Sequence, residues 1–170
     1  MEVKELSKEQ SLAKLKQLVK RQFKLQTKDF KVGNVIFMRY HAKCKERQFD
    51  KTPLMMVLRV GRRYTLGLNF HWIPFSMRMW LVRYIIKENK ENIRNNKPLE
   101  FSYRKIRPLL KKMAFVPCIR LYINKNISKS GTVIPPSQLI EVATLKMESF
   151  TNVPSEKLYN LAKAKKIYEI

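Results

Sequence analysis

Between residues 36 and 70 the chain carries three short apolar runs separated by turn residues, and this spacing restricts the fold more than any other feature. Ile36, Met38, Tyr40 and Ala42 alternate with Arg39, His41 and Lys43, the period of two that a half-buried strand needs. Asp50 to Pro53 supplies turn residues. Leu54-Met55-Met56-Val57-Leu58 is then apolar at every position, as suits a central strand covered on both faces. Gly61-Arg62-Arg63 reads as a hairpin turn, and Tyr64, Leu66, Leu68 and Phe70 alternate through a third strand. Strands joined this closely pair antiparallel, so the sequence predicts a meander curling into a small barrel-like (SH3-like) sheet.

Helical periods flank the meander. Ser7 and Gln10 have capping-box spacing, and Leu12, Leu15, Val19 and Phe23 then recur as on one face of a helix over about residues 8–25. That stripe is narrow, so the basic helix is expected to reach out, with docking on a partner as open to it as docking on its own domain. After His71-Trp72-Ile73-Pro74, Ser76 is expected to cap a helix with Met77, Trp80, Leu81, Tyr84 and Ile85 on its apolar face. Residues 89–98 read as a loop. Helical spacing returns from Ser102 to Met113, where Pro108 bends or splits it. Ile119, Leu121 and Ile123 predict a fourth strand, Pro136 opens a short helix through Ala143, and a last helix runs from about Pro154 to Tyr168. The expected organisation is an amphipathic N-terminal helix over 1–32, an α+β core domain over 33–150 and a C-terminal helix over 151–170.

Charge sets the functional class. There are 36 Lys and Arg against 13 Asp and Glu, a net +23, while 45% of the 170 residues are hydrophobic, enough for a real core. The surplus is +5 over residues 1–33, +6 over 34–75, +8 over 76–113 and +4 over 114–170, so it belongs to the whole body and not to a basic tail. A compact body with this charge repels itself unless a partner neutralises it. Nucleic acid, anionic headgroups and acidic protein surfaces all qualify. No apolar run approaches the ~20 residues of a membrane helix, and the polar start of the chain lacks the pattern of a signal peptide, so no membrane partner is expected. Cys44 and Cys118 make no disulfide framework, which fits a reducing intracellular setting. The residues expected to contact a polyanion or an acidic partner are Arg62, Arg63, Arg78, Arg83, Arg104, Lys105, Arg107, Lys111 and Lys112. Tyrosines beside cations, as in Arg63-Tyr64 and Tyr103-Arg104, offer stacking for nucleic acid.

Groups for bond-making chemistry are scarce. His41 falls on a polar strand face, and His71, between Phe70 and Trp72, reads as a structural hydrogen-bonder. Asp50, ahead of an apolar strand, reads as a turn cap in preference to a lone catalytic acid. The two cysteines stand apart, no His/Cys/carboxylate cluster has metal spacing, and four glycines form no phosphate loop. No enzyme activity, cofactor or metal is expected.

Two motifs carry a resemblance. Phe49-Asp50-Lys51-Thr52-Pro53-Leu54 and Leu66-Gly67-Leu68-Asn69-Phe70-His71-Trp72-Ile73-Pro74, followed by a helix containing Arg78, resemble a group of small virion- or DNA-associated proteins of large tailed bacteriophages. Those proteins share an aromatic-Asp-x-x-Pro-Leu strand and a Gly-Leu-Asn-x-His-aromatic-Leu-Pro turn. The layout from Arg120 to Ile134, through Pro135-Pro136 to the short Ser137–Ala143 helix, is also similar, so the resemblance spans about residues 33–150. Trp72 and Ile73 stand where the group usually has Tyr-Leu, and its helix Trp is missing near Glu141. Within the motif, Asp50, Pro53, Gly67, Asn69, His71, Trp72 and Pro74 are expected to maintain the fold. Gly67 would allow close backbone approach, and His71 and Trp72 would staple the sheet to the helix after Pro74.

The resemblance implies a structural part of a phage particle, in the tail, baseplate or neck, assembled in the host cytoplasm. Its partners would be acidic phage proteins, DNA or both, within a multi-subunit assembly. A sequence-independent nucleic-acid-binding or DNA-protecting protein is the second expectation, and a ribosome-associated protein the third.

Overall fold

The computed structural model describes residues 4–19, 23–43, 49–95, 97–105, 108 and 115–164. In chain order it contains α1 (Lys8–Val19), β1 (Phe23–Lys24), β2 (Val35–Tyr40), β3 (Leu54–Val60), β4 (Tyr64–Asn69), α2 (Phe75–Glu88) and α3 (Lys90–Arg94). The second half adds β5 (Ile119–Ile123), β6 (Ile127–Ile134), α4 (Leu139–Ala143), α5 (Glu148–Thr151) and α6 (Ser155–Ala164). The architecture is α+β. One antiparallel sheet has the order β1-β6-β2-β3-β4-β5, and β2-β3-β4 is the expected meander.

Residues 54–58 are buried throughout because the sheet has a core on each side. Leu54, Met56 and Leu58 join Leu66 and Leu68 against the helices, with Leu81, Val82 and Ile85 of α2, Val142 of α4 and Leu158 of α6. Met55 and Val57 point the other way, into a smaller cluster with Ile36, Met38, Leu25 and Tyr122. Gly33 makes the entry to β2 feasible. Its φ is +92°, and a Cβ there would run into the Leu99 carbonyl, so glycine satisfies both demands.

The curl stops short of a closed barrel, with β1 and β5 at the two edges. The free edge of β5 is occupied at both ends: the Ile119 N–H donates to the Val116 carbonyl, and the Ile123 N–H donates to the Tyr40 hydroxyl at 3.2 Å. Two register shifts bend the strands, one in β2–β6 between Met38 and Tyr40, the other in β3–β4 between Val57 and Arg59. The second shift sets Val60 opposite Thr65, turning it toward the smaller cluster.

Several boundaries differ from expectation. The α1 cap is as predicted: the Ser7 hydroxyl accepts from the Gln10 N–H at 3.2 Å, and the Ser7 N–H donates to Gln10 Oε1 at 2.9 Å. The helix is described to Val19, residues 20–22 lie outside the described residues, and Phe23-Lys24 leaves the helical pattern to pair with β6. Strand β6 was not anticipated, because Lys129 and Ser130 at its centre are exposed and break the alternation. A short helix, α3, occupies the segment expected to be a loop; Ile93 packs on the main core there. Pro74, not Ser76, caps α2. Of the predicted helix over 102–113, residues 103–105 and 108 are helical, and residues 106, 107 and 109–113 lie outside the described residues, as does the end of the predicted C-terminal helix.

Neither terminal helix is an appendage. Leu6 packs on the main core and its N–H donates to the Thr144 carbonyl at 2.8 Å, while the buried Ser11 hydroxyl accepts from the Lys146 N–H at 2.8 Å. Lys14 pairs with Glu141. At the other end, Leu158 and Ala162 of α6 are fully buried. α6 therefore shares the core of the central domain, and α1 is fastened to that domain by Leu6 ahead of it and by Ser11 and Lys14.

Arg78 corrects the sequence reading most sharply. Expected on a partner-facing surface, it is completely buried, and the inward face of α2 is formed by Arg78, Met79, Leu81, Val82 and Ile85. Trp80 is 38% exposed instead. The Arg78 Nε donates to the Ala143 carbonyl at 2.7 Å, Nη1 to Ile73 at 3.2 Å, and Nη2 to Leu145 at 3.3 Å and to Glu5 Oε1 at 2.8 Å. Burial draws its pKa down, while Glu5 opposes that shift by hydrogen bond and charge. A guanidinium suits this place because its rigid fork reaches several carbonyls at once. Replacing it with methionine leaves those carbonyls and Glu5 without their donor. Arg78→Met is expected to cost about 3–5 kcal/mol in urea unfolding, against under about 0.5 kcal/mol for the exposed Arg83→Met. Equal, small losses for both would contradict this account.

Candidate polyanion interface

The β3–β4 turn and the 3-10 turn Asn124–Asn126, which links β5 to β6, are fastened together by one side chain. Asn124 Nδ2 donates to the carbonyls of Gly61 at 2.9 Å and Arg62 at 3.3 Å. Its Oδ1 accepts from the Thr65 hydroxyl at 2.8 Å, and its N–H donates to the Arg63 carbonyl at 3.0 Å. The Gly61 N–H closes the turn onto the Tyr64 carbonyl at 2.9 Å. Held this way, Arg62, Arg63 and Lys125 border a cleft of about 430 Å³ together with Tyr64, Ile123 and Asn124. All three cations are exposed, and no carboxylate lines the cleft. Three positive charges around one concavity draw counter-charge more strongly than the same charges spread apart.

The other predicted cations do not join this cluster. Arg83 is exposed on the outer side of α2, Arg104 is exposed beyond α3, and Lys105 pairs with Glu100 at 3.1 Å. Arg107, Lys111 and Lys112 lie outside the described residues. Sequence reasoning therefore found Arg62 and Arg63 but missed Lys125 and its organiser Asn124. The signal was present in Asn124-Lys125-Asn126, a polar interruption between two apolar alternating runs, which is a turn signature.

Residues of the motif gather around a buried carboxylate. Asp50 Oδ2 accepts from Asn69 Nδ2 at 2.7 Å and lies 3.1 Å from His71 Nδ1, and Oδ1 accepts from the Thr52 N–H at 3.3 Å. Asn69 Oδ1 takes the His71 N–H at 2.9 Å, which ends β4 and starts the 3-10 turn Phe70–Trp72. His71 is stacked on Phe150 with ring centroids 5.0 Å apart. The buried Pro53 accepts the Met38 N–H at 3.2 Å, tying the turn to β2. Pro74 accepts the Arg78 N–H at 2.8 Å at the start of α2. Gly67 serves a side chain more than a backbone: a Cβ there would collide with Met55 Cγ and Sδ.

Trp72 lies under a second arginine, Arg120, whose position beside Tyr122 in the sequence suggests stacking for nucleic acid and not this contact. The Arg120 guanidinium sits 3.6 Å from the Trp72 ring centroid, a cation–π contact in a mostly buried setting. Burial lowers the Arg120 pKa, against the attraction of the Tyr122, Cys118 and Asp50 groups, and burial likewise pushes the Tyr122 hydroxyl well up. Cys118 is buried, its thiol donates to the Trp72 carbonyl at 3.3 Å, and desolvation raises its pKa strongly. It is a packing residue with no thiolate character. Asp50 and His71 are buried among these groups and belong to a structural network. Among the described residues, no three His, Cys, Asp or Glu side chains gather as a metal site would require, and no helix is long and apolar enough to cross a membrane.

Compared with protein-family models, curated proteins and solved structures, the chain matches none.

Asp50→Ala strands the Asn69 and His71 donors, and equilibrium unfolding is expected to show a loss of about 2–4 kcal/mol, whereas Lys51→Ala stays within about 0.5 kcal/mol. Asn124→Ala removes the fastening between the two turns and is expected to cost about 1–2 kcal/mol, with faster amide exchange at Gly61 and Asn124 than elsewhere in the sheet. Uniform exchange rates in that variant would show that the turns are held by something else. In a Cys44→Ser background, Cys118 is expected to react with a thiol reagent only at the rate of unfolding. Prompt labelling of the native protein would contradict its burial.

Proposed function

We propose that the protein is a non-enzymatic structural component of a tailed-phage particle, in the tail, baseplate or neck, that docks through its basic surface onto acidic neighbouring subunits or the DNA path. The carrying observation is charge that the molecule cannot neutralise by itself: 13 carboxylates stand against 36 cations. Among the described residues one of those carboxylates, Asp50, is buried in the fold, and Glu5 is spent on the buried Arg78. A folded body carrying such an excess is stabilised by assembly with something negative.

The sheet supports this reading in a secondary way. We read it as an SH3-like barrel left open along one seam, because a single 3-10 turn carries the chain from edge strand β5 to β6, which pairs with β2. Folds of this kind host many functions, so the assignment rests on the charge and on the motif resemblance around Asp50 and His71, with the fold only consistent with it.

Charge reversal of Arg62, Arg63, Arg83, Arg104 and Lys105 to Glu, made as one variant, tests the proposal. These positions are exposed, so the unfolding midpoint should move little, while incorporation into particles assembled from phage lysate should fall by at least about tenfold. The wild-type protein is expected to bind duplex DNA weakly. Strong DNA binding with a steep salt slope and no particle association would replace this reading with the nucleic-acid-binding one.

A further inference from the structure

The cationic cleft continues into a groove of a different character. Behind Arg62 and Asn124, which border both, lies a concavity of about 350 Å³ between the Leu25–Phe30 segment, the β3–β4 turn and the start of β6. Its floor is apolar, built from Leu25, Phe30, Val60 and Ile127, and its cationic rim is Arg62 and Lys129. The register shift in β3 is what turns Val60 into this groove opposite Thr65, where it stays 42% exposed. No Asp or Glu lines either concavity.

We propose that this composite surface is the docking site for an extended acidic segment of a neighbouring protein. One apolar side chain of the segment enters the groove, and its carboxylates lie along Arg62, Arg63 and Lys125. The inference rests on the function proposed above, and it names protein, not nucleic acid, as the partner at this site. A phosphate backbone satisfies the rim but leaves Val60 and the apolar floor in water. Two of the groove's polar groups are closed to a base edge, since the Thr65 hydroxyl and the Asn124 amide are bound to each other and to the turn carbonyls. An acidic segment with an aliphatic or aromatic residue satisfies the floor and the rim together, the combination of apolar anchor and charged surround that protein interfaces use.

Fluorescence anisotropy on the full chain tests this with three labelled probes of equal charge. They are an Asp/Glu peptide with a central Leu, the same peptide with Ser in place of Leu, and a single-stranded oligonucleotide. At physiological salt the Leu peptide is expected to bind about tenfold more tightly than either other probe, the gain from burying one aliphatic side chain. Val60→Ser should erase that advantage without weakening the Ser peptide. Arg62→Glu, at an exposed turn, should weaken both peptides, and it reads the same site if Val60→Ser does not fold by circular dichroism. Equal binding of the two peptides, an oligonucleotide that binds tightest, or peptide affinity untouched by Arg62→Glu each overturns the proposed site while leaving a basic docking protein in place. A wild-type chain that binds none of the three overturns the site and the wider function together.

Discussion

The buried guanidinium of Arg78 is the interaction on which the rest of the assembly of elements depends. It joins segments distant in sequence: the Ile73 carbonyl before α2, the Ala143 and Leu145 carbonyls at the end of α4, and Glu5 ahead of α1. Desolvating a cation is costly, and the cost is offset here by four hydrogen bonds with a charged donor. The consequence is architectural. With Arg78 in place, the N-terminal segment and the chain leading to α6 are both held on the helix-bearing face of the sheet.

A second polar centre works on the sheet itself. Asp50 draws Asn69 and His71 to the point where β4 gives way to the 3-10 turn, and Phe150 lies flat on the His71 ring. Trp72, three residues after the end of β4, is held in the same region by Arg120 of β5. These two centres use up the residues that superficially looked most like chemistry or binding, namely Asp50, His71 and Arg78. Among the exposed cations, Arg62, Arg63 and Lys125 border the cleft that Asn124 holds between two turns.

How much of this was legible in the sequence follows from what each signal measures. The unbroken apolar run located β3, which is buried on both faces. Period-two alternation located β2, β4 and β5 to within a few residues, because each of those has a buried face in register with its neighbours. It failed for β6, whose exposed Lys129 and Ser130 sit beside the two-residue strand β1 and so bury nothing. Helical spacing placed α2 but rotated its buried face, since hydrophobicity cannot register an arginine that faces inward to bind carbonyls. Phe23 continued the spacing of α1 from Val19 and was therefore assigned to the helix, although it pairs in the sheet. At the candidate interface, Arg62 and Arg63 were visible as cations in a hairpin turn. Their partner Lys125 is distant in sequence and is brought beside them by the β4–β5 pairing, which sets Tyr64 opposite Ile123, and by the hydrogen bonds of Asn124.

The Tyr40 hydroxyl that accepts the Ile123 N–H has a further consequence for how copies of this chain behave when crowded. An outermost strand normally offers a ladder of open main-chain groups on which another molecule can extend the sheet. Here the last rung is already filled by a side chain from across the curl, and the first by the chain's own preceding turn, leaving a stretch too short to template growth. Self-association through backbone zippering is disfavoured without any charged gatekeeper on that strand's outward face, which leaves Leu121 free to stay exposed there.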